Sequence, residues 1–324
     1  MKAVVCKAYG PPSNLVVEEL PSVEPGAGEV VIAVKASGVN FPDTLIIEGK
    51  YQFKPPPPFT PGGEVAGVIS KVGAGVTDVK VGDRVVALMP FGGYAQEVAV
   101  APQQCTPIPA GLDDGVAAAL LTAYGTTHYA LKERAGLKKG ETLLVLGAAG
   151  GVGLSAVELG KLAGARVIAV ASSDEKLEVC RSFGADVLIN YAKDDLRTKL
   201  KELAPQGVDV TYDAVGGPHS EVAIRAMGWG GRHLVVGFAA GEIPKIPLNL
   251  TLLKSCAIVG VFWGAWLMRD PVAARALHAE LLQWAAGGTI KPRVSARYPL
   301  EKAGQALEDM HARKVTGKVV LQVG

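Results

Sequence analysis

The feature that most constrains this chain is a glycine-rich bend, Leu146-Gly-Ala-Ala-Gly-Gly-Val-Gly153. It lies between a continuous apolar run, Thr142-Leu-Leu-Val-Leu146, and a helix-like segment from Leu154 to Ala163. An apolar run without polar alternation predicts a strand buried on both faces, as in a parallel sheet. Glycines at 150 and 151 let a backbone approach a diphosphate, and a glycine at 153 lets the helix pack tightly on the strand. The helix start then offers free N–H groups and a partial positive charge to an anion. The pattern is A-x-G-x-x-G, because Ala148 holds the first position of the usual G-x-G-x-x-G. In a strand–turn–helix setting it predicts a dinucleotide site, lined at the bend by Ala149, Gly150, Gly151 and Val152.

The surrounding rhythm agrees. From about residue 113 helical stretches alternate with apolar strands: Arg166-Val-Ile-Ala-Val170, Val187-Leu-Ile189, Val208-Asp-Val-Thr-Tyr212 and His233-Leu-Val-Val-Gly237, with a helix expected near Glu175–Phe183. This is the βαβα pattern of a doubly wound sheet. Residues 1–112 read differently, as short Val/Ile-rich strands between Gly and Pro, for example 29–35, 64–72 and 83–88. That pattern suggests a barrel or sandwich. Pro55–Pro58 reads as an extended loop. At the C-terminal end, 293–298 and 318–323 read as strands flanking a helix. The fold class is therefore α/β: a Rossmann-type parallel sheet plus a β domain.

At 324 residues the chain has room for two domains, and 49% hydrophobic against 20% charged residues is enough to pack them. The net charge of +2, with no basic stripe, argues against nucleic acid and for a small-molecule partner. Cys6, Cys105, Cys180 and Cys256 share no metal-ligand spacing and read as reduced thiols. No stretch reaches the roughly 18 apolar residues of a membrane span. A cytoplasmic protein is the expectation.

The second strand of the βαβ unit bears on which dinucleotide. An NAD site usually carries an acid at that strand's end for the ribose 2′-OH. Here Val170 is followed by Ala171, Ser172 and Ser173, and Lys176 lies just beyond, where its charge suits a 2′-phosphate. NADPH is the predicted cofactor. A structural reading stands beside it: Ser172 with Glu175 fits an S-x-x-E capping box, with Lys176 a solvated surface residue.

Taken together, Gly38-Val-Asn-Phe-Pro-Asp43, Pro61-Gly-Gly-Glu-Val-Ala-Gly67, Val81-Gly-Asp-Arg-Val85, Gly147-Ala-Ala-Gly-Gly-Val-Gly153, Tyr212-Asp-Ala-Val-Gly-Gly217 and Gly317-Lys-Val-Val-Leu321 resemble, over the full length, the zinc-free quinone oxidoreductase (zeta-crystallin-like) branch of the medium-chain dehydrogenase/reductases. The resemblance implies a GroES-like catalytic domain from residues 1–118 and 289–324, and a Rossmann NADPH-binding domain from 119–288. It implies a homodimer through an edge strand of the Rossmann sheet, with Ala257-Ile-Val-Gly-Val-Phe262 as the candidate. Zinc-dependent relatives carry a Cys where this chain has Asn40 and a His where it has Gly63. The usual zinc ligands are thus replaced, and no metal is expected.

Carried over residue by residue, Lys176, Tyr191 and Arg313 match positions near the adenosine 2′-phosphate, beside Ser172 and Ser173. Thr126, Val215, Gly237, Phe238, Phe262, Trp263 and Gly264 match positions along the nicotinamide side, though Phe262 and Trp263 also read as packing in a dimer strand. The implied reaction is hydride transfer to a quinone or to an activated alkene. Without zinc, the developing oxyanion needs hydrogen-bond donors. Asn40 and Tyr51 are the candidates: an amide NH2 donates without a protonation change, and a phenol is protonated at neutral pH, while Asn40 also reads as a structural turn residue and Tyr51 as a rim aromatic. Asp43 is a third member, whose other role is capping the next helical turn. Reduction of enoyl thioesters or alkenals is an alternative acceptor chemistry. A non-catalytic role, in NADPH or RNA binding, is the alternative outside enzymes.

Overall fold

A computed structural model describes all 324 residues. The chain opens with β1 (Lys2–Val5), β2 (Val16–Glu19), β3 (Val30–Val39), α1 (Phe41–Ile47), β4 (Glu64–Val72), β5 (Arg84–Leu88), β6 (Glu97–Val100) and β7 (Cys105–Pro107). Next come α2 (Asp114–Ala117), α3 (Leu121–His128), β8 (Thr142–Leu146), α4 (Gly151–Leu162), β9 (Arg166–Ala171), α5 (Asp174–Ser182), β10 (Val187–Asn190) and α6 (Leu196–Leu203). They are followed by β11 (Val208–Asp213), α7 (Pro218–Arg225), β12 (Met227–Val235), α8 (Asn249–Lys254), β13 (Ala257–Gly260), α9 (Trp263–Arg269) and α10 (Pro271–Ala286). The chain closes with β14 (Val294–Pro299), α11 (Ala303–His311) and β15 (Lys318–Gln322).

Two compact units result, Met1–Thr122 with Val272–Gly324, and Ala123–Pro271. The domain expectation set its second boundary at 288. By contacts, however, α10 groups with the first unit, and it buries Ala274, Leu277, Leu281 and Leu282 along one face.

The first unit is built on a seven-stranded sheet in the order β14-β15-β3-β4-β5-β7, with β6 also on β3. Its long strand β3 is rich in β-branched residues, which fit a pleated, buried surface. The two ends of the chain meet here: Val319 pairs with Val39 and Leu321 with Ser37 across the β15–β3 ladder. Leu300, Leu307, Val319 and Leu321 share one core with Ile32, Val34, Val65 and Ile69. At about 1.5–3 kcal/mol per buried side chain, the returning segment is integral to this unit.

The second unit is a six-stranded parallel sheet, β10-β9-β8-β11-β12-β13. Numbered from β8 this is the order 3-2-1-4-5-6 of the Rossmann fold, whose ligands lie outside the carboxyl ends of the strands, where the order reverses. Leu144, Leu146, Ile168, Val170, Ile189 and Val208 supply its core. β12 ends at Val235, so Gly237 and Phe238 belong to the following loop. β13 is an edge strand and stops at Gly260; the run expected to reach Phe262 is shorter, and Trp263 begins α9. No helix is long and apolar enough to cross a membrane.

Candidate functional site

At the carboxyl end of β8 the glycines divide by the reason each is glycine. Gly147 has φ 69°, and a Cβ there would meet Val215 Cγ2 at 2.7 Å. A Cβ on Gly153 would lie 2.2 Å from the Gly147 carbonyl oxygen, so helix α4 packs on the turn only because 153 has no side chain. Gly150 is different. It caps α4 in an extended conformation open to any residue (φ −76°, ψ 175°), and its Cβ would approach nothing closer than 3.5 Å. Chain packing therefore does not exclude a side chain at 150, and glycine there leaves the N-terminus of α4 open. Gly147, with its left-handed backbone, is the turn glycine that motif spacing counted from Ala148 passed over.

Asp213, at the tip of β11, shapes the opposite wall. Its Oδ1 accepts from the Val215 and Gly216 N–H groups, each at 2.9 Å, and its Oδ2 accepts from the Ser220 hydroxyl. Burial opposes its ionisation, but bonds from His233, Gly216 and Ser220 outweigh it and hold the carboxyl below its ordinary pKa. This turn sets Val215 against Gly147. Beneath it, buried Thr127 joins the Ser155 hydroxyl at 2.7 Å and the Tyr212 hydroxyl at 2.9 Å, tying α3 to α4 and β11. Thr126 is the neighbouring, half-buried residue of α3.

At the carboxyl end of β9, Ser173 is the N-cap of α5, accepting from the Lys176 N–H at 3.3 Å. The expected cap at Ser172 thus moves to Ser173, because the strand runs on through Ala171, and with Lys176 three residues on the S-x-x-E capping box is not formed. Ser172 instead accepts from Lys176 Nζ at 3.3 Å, which draws the ammonium to the strand tip. Tyr191 joins them, its N–H bonded to the Ala171 oxygen at 3.2 Å. Asp174 is engaged elsewhere, by the Asn190 amide at 2.6 Å and by Lys193. Arg313 lies in the other unit, just past α11, with a left-handed backbone (φ 57°).

Of the remaining nicotinamide-side candidates, Phe238 covers Gly216, whose Cβ would lie 2.9 Å from its ring. Trp263 is 8% exposed, and its indole packs so close to Gly125 that a Cβ there would meet it at 2.6 Å. Phe262 is 59% exposed, and Gly264 lies in the first turn of α9.

The first unit holds a buried polar network that sequence reading saw only in part. Lys318 Nζ donates to the Val39 carbonyl at 2.8 Å and to Asn40 Oδ1 at 2.5 Å. Asn40 Nδ2 donates to Glu64 Oε2 at 3.0 Å, and Glu64 Oε1 accepts from the Thr122 N–H at 3.0 Å. A lysine only donates and a carboxylate only accepts, so the two fix which way the Asn40 amide points. Asn40 is a bridge between a buried cation and a buried anion. Of the two N–H donors on its amide, one is held by Glu64 and the other lies 3.5 Å from the Gly38 carbonyl oxygen, so the group read as a donor to substrate is partly engaged within the chain.

Asp43 Oδ2 accepts from the Asn40 N–H at 2.8 Å and the Tyr94 hydroxyl at 2.9 Å, closing the first turn of α1. Burial pushes its pKa up to about 6, against the Asn40 and Tyr94 bonds and the Lys318 charge. Burial also lowers the pKa of Lys318, partly offset by Glu64 and Asp43. Tyr51 stands apart as the polar candidate with its hydroxyl uncommitted. It is half-buried against the core, and burial, then the Asp43 charge, raise its pKa above the usual phenol value.

No group of three or more His, Cys, Asp and Glu side chains converges as a metal site would require.

Residues 26–110 match the family model described as alcohol dehydrogenase GroES-like domain, and residues 151–279 that described as zinc-binding dehydrogenase. A quinone oxidoreductase-like protein 2 homolog of Nematostella vectensis is 41% identical over 99% of this chain and 88% of its own length. The quinone oxidoreductase of Rattus norvegicus is 35% identical over 99% of this chain and 97% of its own. The crystal structure of Escherichia coli quinone oxidoreductase complexed with NADPH matches with a TM-score of 0.92 at 31% identity, covering 99% of this chain and 100% of that one.

Proposed function

The chain belongs to the quinone oxidoreductase family of the medium-chain dehydrogenase/reductases, and from that premise we propose that this oxidoreductase uses NADPH to reduce quinones without zinc. The observation that carries the coenzyme half is Gly150: an open place at a helix N-terminus, glycine where chain packing does not ask for it. The diphosphate fits there, received by the free N–H groups of α4. Lys176, drawn to the tip of β9 by Ser172, supplies the charge for a 2′-phosphate, with Ser173 and Tyr191 beside it. NADPH, when bound, supplies the hydride.

The chain's own contribution to the chemistry is binding, orientation and a proton. Tyr51 is the donor to the oxygen that becomes negative, because its phenol is protonated at neutral pH and uncommitted. Asn40 and Asp43 act through position: they hold the start of α1, the helix that leads into the Tyr51 segment. Asn40 and Gly63 stand where zinc-dependent relatives place ligands, which supports a metal-free reaction. A homodimer through β13 and a cytoplasmic location complete the reading. The first is supported by the apolar residues exposed along 248–262, Leu248, Leu252, Leu253, Ile258 and Phe262. The second is supported by four cysteines that are all free.

The test is NADPH oxidation followed in parallel with 1,4-benzoquinone, 9,10-phenanthrenequinone, an alkenal and crotonyl-CoA. Faster turnover of the quinones is expected. Faster turnover of crotonyl-CoA or the alkenal would replace quinone reduction with reduction of an activated double bond at the same site.

A further inference from the structure

Near the carboxyl end of β9 the Rossmann unit carries a histidine outside its glycine bend and lysine-bearing strand tip. His219 is the second residue of α7, just past the left-handed pair Gly216 and Gly217. Its ring packs against Tyr191, with centroids 4.8 Å apart and planes tilted by 47°. Tyr191 is tied by its backbone to Ala171, the last residue of β9, and the next residue along, Ser172, holds the Lys176 ammonium. In a parallel sheet of this order the tip of the second strand is where the ribose 2′ position lies. His219 therefore packs on a residue whose backbone is bonded to that strand tip. It is half-buried, neither ring nitrogen is engaged in a hydrogen bond, and its place at the start of a helix favours an anion in front of it. Burial lowers its pKa, with the Asp213 carboxylate pulling the other way, so the imidazole presents one N–H and one lone pair.

We infer that His219 is a contact for the 2′-phosphate of the coenzyme, packed on Tyr191 and donating a ring N–H to a phosphate oxygen beside the Lys176 ammonium. This rests on the NADPH reading above and assigns part of its selectivity to a residue that the motifs do not mark. Lysine supplies a point charge with little directionality. A ring N–H on a fixed element adds direction, and a 2′-hydroxyl gives it no anion to meet. His219 thus discriminates between the two coenzymes instead of strengthening both.

The experiment measures dissociation constants of NADPH, NADH, adenosine 2′,5′-bisphosphate and 5′-AMP for the full chain and two variants. His219→Ala removes ring and donor. His219→Phe keeps a ring against Tyr191 and removes only the donor, and melting curves confirm that both fold. Both variants are expected to bind NADPH and the bisphosphate about tenfold more weakly, the loss of one hydrogen bond to a charged group, with NADH and 5′-AMP unchanged. Equal losses for both coenzymes, or none, would overturn the contact while leaving the NADPH reading intact. A wild-type chain that binds NADPH no better than NADH would overturn the NADPH reading itself, and the contact with it.

Discussion

At the scale of single residues, the roles proposed for Asn40 and Tyr51 separate positioning from chemistry. Removing the Asn40 side chain leaves Lys318 and Glu64 buried without their bridge. Asn40→Ala is therefore expected to cost about 3 kcal/mol of stability, since an uncompensated buried charge is strongly unfavourable. Tyr51→Phe removes one hydroxyl that bonds to nothing in the chain; it should leave stability and NADPH binding unchanged while lowering kcat for quinones about a hundredfold. Denaturant melts and steady-state kinetics of the two variants check this; a full kcat in Tyr51→Phe sinks the donor role. Asp43 makes the same network sensitive to pH. Its pKa is raised from 3.8 to about 6 in the folded chain, so between those values the folded state holds a proton that the unfolded state has released. Stability attributable to Asp43 is thus present at low pH and lost as pH rises through that window, by about 3 kcal/mol at 1.36 kcal/mol per unit. Relative to Asp43→Asn, the wild type should lose stability from pH 4 to 6; parallel stability profiles would refute this. Little of this network was legible in the sequence. Lys318 and Asn40 are joined across β15 and β3, and hydrophobic patterning carries no information about which residues face each other across a sheet. One signal was available: Lys318 opens an otherwise apolar strand, Lys318-Val-Val-Leu321, that is buried from its first residue.

At the scale of elements, the glycine bend was legible because strand, turn and helix each carried their own pattern, and the three agreed. The strands over 64–72, 142–146 and 166–170 fall within a residue of their expected positions. What sequence misjudged lies at element ends, where hydrogen bonds decide and apolar period does not. β9 extends through Ala171, which moves the cap of α5 from Ser172 to Ser173 and frees Ser172 to hold Lys176. β13 stops at Gly260, and the Trp263 indole turns onto Gly125 instead of continuing the strand. β13 nonetheless presents an edge with Ile258 exposed. A charge on such an edge opposes pairing with another chain. Ile258→Lys should convert a dimer to a monomer in analytical ultracentrifugation without unfolding either unit. A wild type that sediments as a monomer, or a variant that remains dimeric, removes β13 from the interface.

For the whole molecule, the proposed function divides the labour between the two compact units. The Rossmann unit offers a helix N-terminus, an open glycine and a lysine-bearing strand tip; the GroES-like unit offers a protonated phenol beside a buried Lys–Asn–Glu network. Family membership was readable from motifs spread along the entire chain, whereas the identity of the acceptor is not written in any one of them. The central claim is that the bend at 147–153 seats a coenzyme diphosphate, and the most direct measurement of it is NADPH binding by Gly150→Ala. A methyl at 150 meets only the Gly147 oxygen at an ordinary 3.5 Å, and the backbone there suits alanine. The variant should melt close to the wild-type temperature, because the lower entropy of the unfolded chain offsets the poorer N-cap that alanine makes for α4. Its dissociation constant for NADPH should rise at least about tenfold, as a methyl obstructs the approach of the diphosphate to the helix. An equally stable variant that binds NADPH as tightly as the wild type would contradict the account.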